Sequence, residues 1–446
     1  MKRLLSLHAT IGLVLLVSFI SQVHSTTAMS QQTPFTALKE QFDALEQYPL
    51  QLDFQQMTKQ WQSLRTQTHS SSWDEFLVQL NNVTQNNHAL TACDQVQLDR
   101  FQTITQMQVL AHSLANHPIT YQGSVANLPD SLKWYRLLTL LWLGEDIAPQ
   151  ALYNIGEQTF NRSITLLRDV SVEPVTYSSI KVGQEEALLQ GYQQRHQRVE
   201  KLIEKLFVET KDLQSLNIAK SSLGPDFLAP AYYDSEQNTF YFNATSEHYN
   251  LAQMDFLYLH EGLPGHHLQS QWSQKYALCG NRDASTISMA MVEGWAAYIE
   301  RYGADLGLFQ DKASLYYALK WQALRAMRVQ VDVGMHALGW NDEQVRSHWL
   351  KNFPEGADIM ERELARIKRW PMQVNTYVYG QYKIEQLLKQ QQQDSHFQLT
   401  EFHRNLLSIS HLPLSALERY SEFFTATKDM QAPSKSIQNQ ESQLHR

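Results

Sequence analysis

The sequence predicts a mainly α-helical protein with one small β element beside its chemically active helices. Three observations carry this. Apolar residues recur at i, i+3 and i+4 within 35–45, 74–80, 93–114, 132–143 and 185–207, the spacing that lines one face of a helix. One stretch, 238–243, is rich in aromatic residues and threonine, as strands are. Beyond it helical patterns return, now carrying His, Glu, Arg and Tyr inside apolar runs.

In chain order, Lys2 and Arg3 precede an apolar stretch and then Val23-His24-Ser25, the three-part pattern of a secretory signal peptide over 1–25. The apolar core is shorter than the roughly 20 residues that span a bilayer. No cysteine follows for a lipid anchor, and no later run is apolar enough to cross a membrane. An exported, periplasmic or secreted protein is expected, with no stable membrane insertion. The net charge of −8 has no polybasic footprint, which speaks against nucleic acid as a partner. The only cysteines, Cys93 and Cys279, are permitted a disulfide by export, but two buried thiols are an equal reading.

Residues 29–225 read as a helical region without a chemical motif, expected to wall one side of a cleft. Pro129-Asp130-Ser131 marks a helix start. The character changes past Leu223-Gly224-Pro225, where a second region, 226–430, begins. Asn250 with Gln253 could cap the next helix.

The apolar run from Met254 to Leu259 ends in His260-Glu261-Gly262-Leu263-Pro264-Gly265-His266-His267. In the motif H-E-x-x-H two histidines share a helical face and hold zinc, while the glutamate acts as the base. Here the second histidine comes late. On an unbroken helix His267 would lie about 10.5 Å from His260 along the axis, too far for one ion. Pro264 lacks the N–H owed to the carbonyl of His260 and clashes there. Gly262 and Gly265 permit unusual backbone. A local bulge is therefore expected to return His266 to the ligand place, leaving His267 behind it or facing substrate. The bland reading is a helix end with surface histidines.

Glu293 follows in an apolar helical run with Met289, Val292, Ala296 and Ile299. A carboxylate there is costly to bury without a cation or hydrogen bonds. Gly294 beside it suggests close approach of another backbone. Two histidines and this glutamate make the three-ligand set of catalytic zinc.

A long helix is expected from near Asp311 to about Leu338. Arg325, Arg328, Asp332 and His336 form one polar stripe on a helix otherwise apolar, hence buried. The stripe reads as the lining of an internal cleft, or as a structural ion-pair ladder. In the first case Arg325 and Arg328 grip a peptide carboxylate, Asp332 satisfies Arg328, and His336 donates to an oxyanion. Another helix ends at Arg369-Trp370-Pro371, and the next carries Tyr377, Tyr379 and Tyr382 near Gly380. The tail 431–446 is polar and expected to be disordered.

The blocks His260–Gln269 and Glu293–Tyr298, with Arg325 to His336 and Pro371 to Gly380, resemble the signatures of a bacterial family, domain of unknown function 885, grouped with zincin-like metallopeptidases. The resemblance implies a large helical, two-lobed, gluzincin-type fold with a small β edge element, and zinc on His260, His266 and Glu293. It further implies Glu261 as general base, with Tyr377 as an oxyanion donor. In zincin-like folds a short edge strand before the zinc helix pairs with substrate, the role expected of 238–243. Where the family often has Pro-Gly-Gln this chain has Pro371-Met372-Gln373, which puts the local turn in question. The expected function is zinc-dependent hydrolysis of peptides, with His267, Arg325 and Arg328 contacting substrate. The alternatives are a peptide-binding or assembly protein with a vestigial metal site, and a metallohydrolase of other amides or esters. Retention of Glu261 argues against a purely structural site, which needs no base.

Overall fold

The computed structural model describes residues 34–424 apart from 46–52, 66–69, 87–89, 115–119, 171–177, 182, 224–228, 245–247 and 281–285. The expected leader, 1–25, and the tail, 431–446, lie outside the described residues. Seven helices come first: α1 (Pro34–Leu45), α2 (Phe54–Arg65), α3 (Ser70–Asn86), α4 (Ala92–Leu114), α5 (Ser131–Leu143), α6 (Pro149–Val170) and α7 (Glu185–Leu202). The strands are β1 (Ser179–Lys181), just before α7, then β2 (Asn217–Lys220), β3 (Ala231–Asp234), β4 (Thr239–Phe242) and β5 (His248–Asn250). Then follow α8 (Gln253–Glu261), α9 (His266–Tyr276), α10 (Met289–Ile299), α11 (Lys312–His336) and α12 (Asp342–Asn352). The last are α13 (Met360–Arg369), α14 (Thr376–Gln391), α15 (Leu399–Ile409), α16 (Ser415–Glu418) and α17 (Tyr420–Phe424). The protein is mainly α, as its apolar periodicity predicts.

The long helix α11 organises the packing. Asp311 caps it by accepting from the N–H of Ser314 at 2.8 Å, which satisfies one of the free donors of the first turn. Every residue from Ala323 to His336 is buried. The reason lies on both sides of the helix. Val329 and Val333 belong to one apolar core that extends from Leu38 to Tyr420. Ala323, Met327, Val331 and Met335 belong to a second core shared with α6, α12 and α13. A side chain added at Gly156 of α6 would come within 2.7 Å of Val329, so these two helices meet closely. The first core draws on both sequence regions, so neither 29–225 nor 226–430 buries its apolar surface alone.

The strand expected at 238–243 is β4, but its place differs from the expectation. The sheet order is β2-β4-β3, with β4 parallel to β2 and antiparallel to β3. β4 is thus the central strand, and its Phe240 and Phe242 are buried against Tyr192. The edge is β3. Asn250 sits in β5 and accepts from the N–H of Ala252, so it shapes the turn before α8 and does not cap that helix.

Cys93 and Cys279 form a disulfide across a separation of 186 residues. It ties α4 to the segment after α9. Closing so long a loop removes much freedom from the unfolded chain. Cys93→Ser together with Cys279→Ser should therefore cost about 2–5 kcal/mol, read as a lower urea midpoint. An unchanged midpoint would show that the crosslink does not hold the two regions together.

Candidate metal centre

The site begins where α8 stops. Asp255 anchors this helix, accepting from Arg195 Nε at 2.6 Å and from the N–H of Phe309 at 2.7 Å. Its last turn closes on the N–H of Gly262, bonded to the carbonyl of Tyr258 at 2.7 Å. The chain turns through a cis Leu263–Pro264 bond, and α9 starts at His266. A Cβ on Gly265 would lie 1.8 Å from the carbonyl oxygen of His260, so the turn folds back onto α8 and only glycine fits. The expected bulge within one helix is thus a break between two. Its effect on the histidines is the one expected.

Glu293 arrives on α10, held by a backbone-to-backbone crossing. A Cβ on Gly294 would stand 2.5 Å from Gly380 of α14, and one on Gly380 would stand 1.7 Å from the carbonyl oxygen of Ala290. The close approach that Gly294 suggested is therefore with Gly380. Tyr377, one turn before Gly380, is brought to the same place.

Here Glu293 Oε2 lies 3.5 Å from His260 Nε2 and 3.4 Å from His266 Nε2. The three ligand atoms all fall within 4.8 Å of one another. Two donors each about 2.0–2.1 Å from a tetrahedral zinc stand roughly 3.3 Å apart, so the spacing suits a shared ion. The hydrogen bonds of the rings agree. His260 Nδ1 donates to Glu300 Oε1 at 2.8 Å, and His266 Nδ1 to Gln269 Oε1 at 3.3 Å. With Nδ1 donating, each ring can offer Nε2 as a lone pair to an ion, the arrangement that outer partners impose on metal-binding histidines. Glu293 Oε2 is buried without a hydrogen-bond partner, a group that calls for a cation. The residues fit zinc.

Glu300 is itself held by Arg325, whose Nη1 donates to both carboxylate oxygens at 2.6 and 2.7 Å. Because Glu300 orients His260, Glu300→Ala should weaken zinc affinity about 10–100-fold, measured by competition with a chromogenic chelator. Unchanged affinity would show that the hydrogen bond is dispensable.

Glu261 sits beside this set. Its Oε2 accepts from the N–H of Tyr233 in β3 at 3.1 Å. Burial raises its pKa; the neighbouring His260 and His266 oppose the rise, and Glu293 adds to it. Burial would also raise the Glu293 carboxyl, but the two histidines hold it far below the usual range. One carboxylate is thus kept charged while the other is moved towards the range of a proton carrier.

The structure places the other expected site residues differently. Tyr377 does line the cavity, 6.2 Å from the His260 ring between centroids. Arg325 is not a free clamp, because Glu300 occupies it and its guanidinium lies over the Tyr377 ring at 4.9 Å. Arg328 is paired with Glu363 at 2.7 Å, not with Asp332. Asp332 instead accepts from the N–H of Met372 and from Asn375 Nδ2, each at 2.8 Å. That pair fixes the turn leading into α14. Met372 stands there at a φ of 73°, a left-handed conformation that favours glycine, with its side chain fully buried.

His336 and His267 are corrections as well. His336 is wholly buried, accepting from the N–H of Val125 and donating to the carbonyl of Ile367. It has no nitrogen left for an oxyanion. His267 packs against Tyr233, 3.3 Å from its hydroxyl, outside the cavity lining. Burial pushes His336 and His403 down to about 4. Their folded pKa values lie below the unfolded value of 6.5, so the unfolded chain binds more protons between pH 6.5 and 4. Stability should be full above 6.5 and fall as pH drops through that window. Urea midpoints at pH 7.5 and 5 test this. His336→Gln should show a lower midpoint at pH 7.5 but a shallower fall.

The metal set opens on a cavity of about 620 Å³ lined by residues of α8, α10, α11, α13 and α14 and by Ala229 to Ala231. From the first region it takes Trp142 alone among the described residues, so that region forms less of the cleft than expected. Sequence reasoning missed three contributors. Glu300 lies seven residues after Glu293, on the same helical face, and that spacing was a usable signal. Gln269 lies three after His266. The N–H of Tyr233 had no signal, because any residue supplies one.

A family of bacterial proteins of unknown function, DUF885, matches residues 36–420. The chain belongs to this family. No curated protein matches it. Among solved structures, the DUF885 chain resembles one from Colwellia psychrerythraea, described as a putative lipoprotein, with a TM-score of 0.60 at 19% identity. That match covers 84% of this chain and 70% of the other. A Shewanella oneidensis protein, described as a putative lipoprotein of unknown function, matches with a TM-score of 0.47 at 17% identity, covering 82% of this chain and 72% of its own. The Colwellia likeness is one of fold.

Proposed function

We propose that this DUF885 protein is a zincin-like, zinc-dependent peptidase acting on short peptides. The observation that carries the reading is the convergence of His260 Nε2, His266 Nε2 and the buried Glu293 Oε2, with His260, Glu293 and the adjacent Glu261 in the cavity wall. When bound, zinc supplies a Lewis acid and a water nucleophile at neutral pH. The chain does the rest. Glu261 takes the proton of the attacking water and passes it to the leaving amine. Tyr377 donates its hydroxyl hydrogen to the oxygen of the carbonyl under attack.

The edge strand orients the substrate. Asn243 N–H bonds to Pro230 O, and Ala231 faces Phe242 across β4. That register aims the main-chain groups of Ala231 and Tyr233 away from β4. Tyr233 N–H serves Glu261, and Ala231 lines the cavity, where an extended peptide adds as a further strand.

Export is part of the same proposal. It is supported by the disulfide, which needs an oxidising compartment, and by the leader pattern. Among the described residues no helix is long and apolar enough to cross a membrane.

Digestion of a mixed peptide library by the purified protein tests the activity. Hydrolysis lost with a chelator and restored by zinc is expected. A zinc-loaded protein that cleaves nothing is a binding protein, and this reading is then wrong.

A further inference from the structure

The cavity wall opposite β3 carries more guanidinium groups than its carboxylates neutralise. Arg325 is paired with Glu300. Arg328 and Arg362 share one partner, Glu363, at 2.7 and 3.0 Å. Arg366 has none. Among the described residues its Nη2 donates to two neutral groups, Gln373 Oε1 at 2.8 Å and the Tyr377 hydroxyl at 3.3 Å. Glu363 and Glu293 act on it only through space. A half-buried guanidinium with no anion in contact is a receptor for one, and its planar fork suits a carboxylate.

We propose that Arg366 grips a carboxylate of the peptide and so restricts the enzyme to short segments at or near a C-terminus. The proposal rests on the peptidase reading above. Its geometry comes from Tyr377, which separates Arg366 from the metal set. The Tyr377 ring lies 6.2 Å from the His260 ring and 6.0 Å from the Arg366 guanidinium carbon. An extended residue covers about 3.3–3.6 Å, so roughly one to three residues reach from the scissile carbonyl to Arg366. Arg369, stacked on Trp370 and exposed, extends this row of guanidiniums towards solvent, where its Nε lies 3.9 Å from Asp53. Gln373 and Tyr377 hold the Arg366 fork in place, which lowers the entropy lost on binding.

Two sources offer this carboxylate: the α-carboxylate of a chain end, or the side chain of Asp or Glu at the same place. The zinc-loaded Glu261→Gln protein, immobilised, is offered a tetrapeptide library in three forms. These are free acids, carboxamides, and carboxamides with glutamate last; retained peptides are counted by mass spectrometry. Free acids should be retained on the order of tenfold or more over carboxamides, the usual size for a hydrogen bond to a charged group. Adding Arg366→Ala should erase the difference, and Arg366→Lys should leave part of it. Glutamate carboxamides retained like plain carboxamides show that the chain end is read; retained like free acids, they show that any carboxylate serves and overturn the restriction to C-termini. Equal retention of acids and carboxamides overturns the proposal, and so does retention of no form at all. The comparison of acid with carboxamide needs no Arg366 variant, so a misfolded variant does not decide it. Zinc-dependent cleavage of acids and carboxamides alike would keep the peptidase reading while removing this one. Carboxylate-dependent retention by a protein that hydrolyses nothing would do the reverse.

Discussion

Glu261→Gln should lower kcat by about 10²–10⁴-fold, the usual contribution of a positioned general base, while bound zinc and the thermal midpoint stay near wild type. The geometry makes this a clean test. Glutamine keeps the shape of the side chain and an oxygen to accept the N–H of Tyr233, the one hydrogen bond that holds Glu261 Oε2 against β3. What is lost is the ability to take a proton at an atom beside His260 and His266. Glu261 is not among the three grouped ligand residues, so the metal should remain. Kinetics, zinc content and a melting curve on one preparation separate the outcomes. Wild-type turnover by the glutamine variant would remove Glu261 from the chemistry.

The second large effect concerns the ligands. His260→Ala, His266→Ala and Glu293→Ala should each weaken zinc binding by well over the roughly 10–100-fold that outer partners are worth. Each variant removes one of three donors and leaves the others in place. Glu293→Ala also tests the buried charge. Its Oε2 stands 3.5 and 3.4 Å from the Nε2 atoms of His260 and His266, which hold the carboxyl far below its usual range, so in the metal-free protein its removal should cost stability by leaving those rings without their anion. His267→Ala should keep the metal, because that ring faces Tyr233. Loss of zinc in His267→Ala together with retention in His266→Ala would invert the assignment.

Much of this was legible in the sequence, for physical reasons. The grouping of His260, His266 and Glu293 was readable because metal chemistry restricts residue types and because Pro264 and Gly265 announce a forced break. The buried course of α11 was readable from its apolar sides, and the crossing at Gly294 from a glycine where a helix prefers alanine. Partners of the polar stripe were not. Local spacing offered Asp332 to Arg328, but tertiary packing brought Glu363 from α13 and Glu300 from the end of α10. A charge on a helix can be located from sequence, whereas the residue that neutralises it is a three-dimensional fact. The role of β4 failed for a related reason, since aromatic content marks a strand without saying whether it is central or at an edge. The left-handed conformation at Met372, where glycine is favoured, is held by its N–H bond to Asp332 and by burial of its side chain.

The central claim is that one zinc ion sits between α8, α9 and α10. Anomalous diffraction at the zinc edge from crystals of the zinc-loaded protein tests it most directly. The account predicts a single strong peak about 2.0–2.2 Å from each of His260 Nε2, His266 Nε2 and a Glu293 carboxylate oxygen. No peak at that place, or one held by His267, would contradict it.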